Sequence, residues 1–353
     1  MRATPLFRKL IKNFWPRCHC RRKGSFVLFW GLLGLASLFL SIVLSKEQDL
    51  PLVSSPTLQV EIYGEIDTTA MQEVAAGRAV QRIKQENNVI SADYGFVNFK
   101  NFPLQINFSI SSKDLATYQG TYGYTQADLD EIEAWQKDAL AEAYKQAVNA
   151  GWGQKRLDTV SLAIQSDFRK KQIELFANRG FRLRNDNVLI ADISKIVEKN
   201  IRPLQGVALQ FNQIATDHGY DSLETVASVL SMVQTALHYH EIPVKEGGRT
   251  TGGVNPPLVA MVEGGGDCDS KSALLASILR NWDQIKLIGV SVPNHYLLGV
   301  LQNPAKGQVY VEYRGLRYVL LEPAGPAWLP PGIVAESTLN LLSAGDGPHY
   351  EAL

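Results

Sequence analysis

Gly264-Gly-Gly-Asp-Cys-Asp-Ser-Lys-Ser272 runs on into Ala273, Leu274, Leu275, Ile278, Leu279 and Trp282 at helical spacing, and the reading of the whole chain turns on this stretch. The spacing places Cys268 at the start of an amphipathic helix, with Asp267 as its N-cap and Asp269 as a first-turn acid. Backbone N–H groups in a first helical turn have no intrahelical acceptor, and with the helix dipole they favour a thiolate over a thiol. The three glycines allow a tight turn and close approach of another molecule to the backbone. Asp267 and Asp269 work the other way, and Lys271 offsets their charge only in part. An imidazolium near the sulfur is needed to settle the balance.

His295 is the candidate for that imidazolium. It opens His295-Tyr-Leu-Leu-Gly-Val-Leu301, an apolar run between Pro293-Asn294 and Gln302-Asn303-Pro304, which is a strand pattern. A second run, Leu316 to Leu321, ends in Glu322-Pro323. Antiparallel pairing with His295 opposite Glu322 sets Leu301 opposite Leu316, puts imidazole beside carboxylate, and leaves residues 302–315 as an excursion. A competing meander makes Gln308 to Tyr313 the middle strand, with Arg314-Gly315 as a tight turn, and separates His295 from Glu322 by on the order of 20 Å. Only the first arrangement makes a triad.

The Gly-Asp-Cys-Asp-x-Lys motif with a helix behind it, the later His-aromatic pair opening a strand, and the strand ending Leu320-Leu321-Glu322-Pro323 resemble the transglutaminase-like cysteine superfamily. The likeness covers roughly residues 190 to 330 and includes Val233-Gln234, a helix ending His238-Tyr239, and Pro256-Pro257-Leu258 ahead of the glycines. It implies a papain-like fold, the cysteine helix packed on an antiparallel sheet. It also implies Cys268 as nucleophile, His295 as general base and acid, and Glu322 as the residue that orients the imidazole, where the family more often has Asp. The chemistry implied is acyl transfer through a thioester. The Cys268 N–H is the first expected oxyanion donor and the Gln234 side chain the second. Nothing comparable covers residues 57–180.

At the other end, residues 1–25 carry eight basic side chains and no acidic one, which leaves 27 basic against 35 acidic groups in the remainder. Residues 26–45, FVLFWGLLGLASLFLSIVLS, are 20 uncharged positions, the length of a helix that spans a bilayer core. A cleaved signal has a shorter apolar region and a small-x-small site, so an uncleaved anchor is expected, with the basic leader cytoplasmic and the rest outside. Of three cysteines, Cys18 and Cys20 then lie inside, and Cys268 faces the oxidising side without a disulfide partner. Residues 46–56 read as a tether.

The expected fold class is therefore α+β: a transglutaminase-like domain at 186–335, an N-terminal α+β region of unassigned role at 57–185, one transmembrane helix, and a C-terminal tail at 336–353. Period-2 alternation predicts strands at 58–63 and 104–110, while 68–86 reads as helical. Helices are expected from Thr125 to Gly151, over 157–178, from Ile193 to a break at Pro203, and over 222–240, followed by a Gly/Pro-rich loop at 243–257. His238, His240 and Glu241 match no zinc pattern, and Asp267 and Asp269 lack a 12-residue calcium loop, so neither a metal nor a cofactor is expected. G-x-S-x-G, a phosphate-binding G-x-x-x-x-G-K and a basic, aromatic-interleaved outer surface are all missing, which removes serine-hydrolase, nucleotide and nucleic-acid readings. What remains is a cysteine peptidase or amidase of the inner membrane, facing the periplasm and taking a peptide or protein substrate. The alternatives are a silent binding module with an envelope protein partner and a crosslinking transglutaminase.

Overall fold

Asn87 and Asn88 both adopt positive φ, the conformation of a tight two-residue hairpin turn, and they join β1 (Val80–Glu86) to β2 (Val89–Val97). In this computed structural model, which describes residues 79–184, 188–344 and 347–353, the hairpin is completed by β3 (Pro103–Ser111). The expected strand at 104–110 is therefore present, but the helical reading of 68–86 is corrected where it is described, because residues 80–86 are strand. The Asn-Asn turn and the pairing of β1 along β2 outweigh the weak helical pattern. The basic leader, the apolar run at 26–45, the tether and the strand at 58–63 lie outside the described residues.

Two long helices follow α1 (Ser112–Gln119) and β4 (Tyr124–Thr125): α2 (Gln126–Ala150) and α3 (Gln154–Asn178). Helix α2 matches its prediction at both ends. Thr125 and Asp128 form a reciprocal capping box, and Gly151 closes the helix in the left-handed conformation. The two helices pack antiparallel, with Ala143, Ala147 and Leu157 buried, while Tyr144, Val148, Leu162 and Ile173 are exposed. The break near Gly180 becomes the small hairpin β5 (Phe181–Leu183) and β6 (Leu189–Ala191). Then come α4 (Ile193–Asn200), α5 (Gln205–His218), which starts just after Pro203 as its prohibition on an interior position requires, and α6 (Ser222–Thr235). Helix α6 ends before the predicted 240, because His238 and Tyr239 form the short strand β7.

The Gly/Pro-rich loop carries a tight hairpin, β8 (Lys245–Glu246) and β9 (Arg249–Thr250), and leads into α7 (Pro257–Glu263). Strand β10 (Gly265–Gly266) pairs in parallel with β7, and the cysteine helix α8 (Cys268–Leu279) starts two residues later. Every residue of α8 from Ser270 to Leu279 is buried, so the expected amphipathic helix is instead enclosed on all sides. Its walls include α4, α6, α7 and one face of a five-stranded antiparallel sheet, within a core that also takes in Tyr94, Phe96 and Ile106 of the first sheet.

That sheet contains β11 (Leu287–Val292), β12 (His295–Leu301), β13 (Tyr310–Tyr313), β14 (Leu316–Leu321) and β15 (His349–Ala352) in the order β13-β14-β12-β11-β15. Its second face carries Val290, Leu297 and Leu320 and is covered by α9 (Glu336–Leu342). Burial on both faces explains why β12 reads as a continuous apolar run rather than an alternating one. Two boundaries expected from sequence do not divide the structure. The described residues belong to one unit whose core joins strands from before position 185 to α8, and the segment read as a tail supplies both α9 and an edge strand. The α+β class holds, and among the described residues no helix is long and apolar enough to cross a membrane.

Candidate active site

Strands β12 and β14 are neighbours, and β13 is the outer strand of a hairpin with β14, so the competing meander is not the observed arrangement. The register differs from the simplest expectation: Leu298 faces Leu321 and Leu301 faces Tyr318, a slip of two residues. An even slip keeps every side chain on its expected face. His295 and Glu322 consequently meet on a diagonal, and Nε2 of the imidazole lies 2.8 Å from Oε1 of the carboxylate. Asn294, at positive φ, turns the chain between β11 and β12 and delivers His295 at the corner of that hairpin.

The Glu322 carboxylate is 3 % exposed, so both of its oxygens need partners. Oε2 accepts the hydroxyl of Thr338 on α9 at 2.7 Å. Burial alone lowers the pKa of His295, but hydrogen bonds to Cys268 and Glu322, together with their charges, override it and raise the value to about 10. With Nε2 turned to Glu322, Nδ1 is the nitrogen left for the sulfur. Cys268 is the first residue of α8 and is 8 % exposed. The structure thus brings Cys268, His295 and Glu322 together as the sequence predicted.

Asp267 is the N-cap: its carboxylate accepts the Ser270 N–H at 2.9 Å. Its pKa is raised by burial, against the hydrogen bonds it accepts. Asp269 has no such relief, and burial, seconded by the charges of Asp267 and Glu351, lifts its pKa to about 6 while His295 pulls it down. Both acids stand where the sequence placed them, in the first turn beside the sulfur.

Gln234 is the correction. Its Nε2 donates to the backbone carbonyls of Glu322 at 2.6 Å and Leu329 at 3.0 Å, and its Oε1 accepts the Leu329 N–H at 2.9 Å. Both N–H bonds are committed, so none remains for an oxyanion. Gln234 fixes the backbone that carries Glu322 instead. The first predicted donor keeps its geometry, because Cys268 opens α8 and its N–H has no intrahelical acceptor.

The glycines are used for close approach. A Cβ on Gly265 would stand 2.3 Å from the His238 carbonyl oxygen, and one on Gly266 would stand 2.6 Å from the Ser270 Cβ. The missing side chain at Gly265 lets β7 lie beside the cysteine turn, and the one at Gly266 leaves room for Ser270 in that turn. Tyr239 of β7 is 45 % exposed, and its phenol pKa is raised by burial and then by the charge of Cys268, which puts it on the approach to the sulfur. Sequence reasoning missed Tyr239 and Thr338. The first sat in an assumed helix end and the second in an assumed tail. Among the described residues no group of three or more His, Cys, Asp and Glu is disposed to hold a metal ion.

Compared with family models, curated proteins and solved structures, the chain finds no match in any of the three.

Proposed function

We propose that this chain is a cysteine hydrolase of the transglutaminase-like, papain-like kind, tethered to a membrane by residues 26–45 and acting on peptide or carboxamide bonds outside the cytoplasm. The observation that carries the proposal is the imidazole of His295, bonded at 2.8 Å to a buried Glu322 carboxylate and close enough to Cys268 for the sulfur, like that carboxylate, to raise its pKa. Three residues far apart in sequence meet in the order that acyl transfer needs.

In the reaction, His295 takes the thiol proton and the sulfur attacks the carbonyl carbon. The oxyanion that forms faces the first turn of α8, where the Cys268 N–H and the helix dipole stabilise it. His295 then returns the proton to the leaving amine, a thioester remains on Cys268, and water activated by the same imidazole releases the acid. Glu322 holds the ring in place, as the carboxylate of such triads does. Hydrolysis is preferred over crosslinking because water reaches any exposed thioester, whereas among the described residues no side chain set around Cys268 marks an amine-acceptor site.

The test is to trap an acyl-enzyme from a cell-envelope extract on Cys268, with Cys268→Ala as control, and to compare iodoacetamide alkylation of Cys268 in wild type and His295→Ala across pH. Substrate trapping with rapid alkylation that collapses in His295→Ala supports the proposal. Alkylation indifferent to His295 refutes it.

A partner-binding reading is favoured by one observation, the α2–α3 hairpin. Each helix has 25 residues, about 37 Å at 1.5 Å rise per residue, and most of that surface is exposed. Under that reading an envelope protein engages the hairpin and no acyl-enzyme forms, which the same trapping experiment decides.

A further inference from the structure

A lysine ammonium removed from water must be compensated, and lysine is rarely enclosed for that reason. Lys271, three residues beyond Cys268 on α8, is 0 % exposed. Its Nζ donates to the carbonyl of Leu237 at 3.0 Å and to the carbonyl of Ala324. Leu237 is the residue that delivers the chain into β7, the strand that flanks Gly265 and Gly266 on the approach to the sulfur. Ala324 lies two residues after Glu322. A single side chain, rooted on the helix that carries the nucleophile, therefore grips the backbone on both flanks of the site.

A space-filling role does not need a charge there. Buried ionic groups replaced by apolar ones of similar size often leave stability unchanged or improved, so a retained buried ammonium calls for another use. Burial lowers the amine to about 7 even though the charge of Glu322 works in the opposite direction. Gln234 restrains the same stretch of backbone at Glu322 and Leu329 but brings no charge.

We propose that Lys271 is a positioning residue of the acyl-transfer centre, locking the backbone at Leu237 and Ala324 and so holding Glu322 aimed at His295. The proposal rests on the reading of Cys268, His295 and Glu322 as a catalytic set. It extends that set to a group that touches neither substrate nor sulfur and acts through Glu322.

The experiment uses the full chain in detergent, with wild type, Lys271→Met, Lys271→Gln and His295→Ala. The alkylation rate by iodoacetamide is followed from pH 5 to 10 at the Cys268 peptide by mass spectrometry, which separates it from Cys18 and Cys20, and a thermal melt accompanies each variant. Methionine keeps the length of the side chain and removes its charge and donors; glutamine keeps donors without charge. The expected result is alkylation near pH 6 slowed by about tenfold or more in both Lys271 variants, as loss of a nearby positive charge and of imidazole alignment dictates. The gap closes toward pH 10, where a thiol ionises unaided. Should Lys271→Met fail to give a cooperative melt, Lys271→Gln decides.

A lowered melting temperature with a pH profile that superimposes on wild type means a purely structural lysine and overturns the proposal. If His295→Ala loses the low-pH reactivity while the Lys271 variants keep it, the proposal fails and the catalytic set stands. If His295→Ala also matches wild type, both fail.

Discussion

Replacing Asp269 with asparagine isolates one electrostatic cost in the first turn of the cysteine helix. The Asp269 carboxyl titrates at about 6 in the folded chain against an ordinary 3.8, because it is partly buried and faces Asp267 and Glu351. At 1.36 kcal/mol per pH unit, that rise corresponds to roughly 3 kcal/mol, and screening over its exposed part brings the expected effect to roughly 1–2 kcal/mol. The sign follows from linkage. A carboxyl whose folded pKa is raised contributes relative stability below its unfolded value, near 4, and loses it as pH rises through about 6. Above that pH the wild-type protein carries an unfavourable ionised group, and Asp269→Asn does not.

The variant should therefore melt higher than wild type at pH 7–8, by a few degrees at roughly 2–4 °C per kcal/mol for a unit of this size, and the two should converge below pH 4. Thermal melts by circular dichroism at pH 4, 5, 6, 7 and 8 measure this. Removing a negative charge beside the sulfur also favours the thiolate, so alkylation of Cys268 should be faster in the variant at neutral pH. A stability difference that is constant across pH, or a variant less stable at pH 8, refutes the electrostatic reasoning.

Three further outcomes are expected. Gly265→Ala should remove the alkylation of Cys268 near pH 6 and strip the site of order, since its Cβ would come within 2.3 Å of the His238 carbonyl oxygen and force β7 off β10; a wild-type rate at that pH contradicts this. Gln234→Ala should cost roughly 2–5 kcal/mol in denaturant unfolding, because it leaves the Leu329 N–H and the carbonyls of Glu322 and Leu329 buried without their partner. Thr338→Val keeps the shape but withdraws the 2.7 Å hydroxyl donor from Glu322, and should lower stability by roughly 1–3 kcal/mol and slow alkylation at pH 6; an unchanged pH profile would show that Glu322 is held without it.

The features legible in the sequence were those in which neighbours along the chain decide the outcome. Thr125 with Asp128 capped α2, Gly151 ended it, Pro203 interrupted a helix, and Asp267 capped the cysteine helix, each through bonds that span four residues or fewer. Patterning also located β12, β14 and the residues His295 and Glu322, because a strand buried on both faces leaves a continuous apolar run with polar residues only at its ends. Segments of no more than about two periods were lost. Strand β7, α7 and β15 have too few residues to show periodicity, and their places depend on what pairs with them.

Tertiary structure alone decided the rest. Two pairings of β12 and β14 differing by two residues present the same faces to the core, so the sequence could not choose between them, and the folded sheet pairs Leu298 with Leu321. From sequence, Gln234 was expected to donate to an oxyanion and Lys271 to offset the charges of Asp267 and Asp269. Only the fold shows that each spends its hydrogen bonds on backbone atoms roughly 30 to 95 residues away, where an unsatisfied carbonyl in the core would cost more than any local preference could repay.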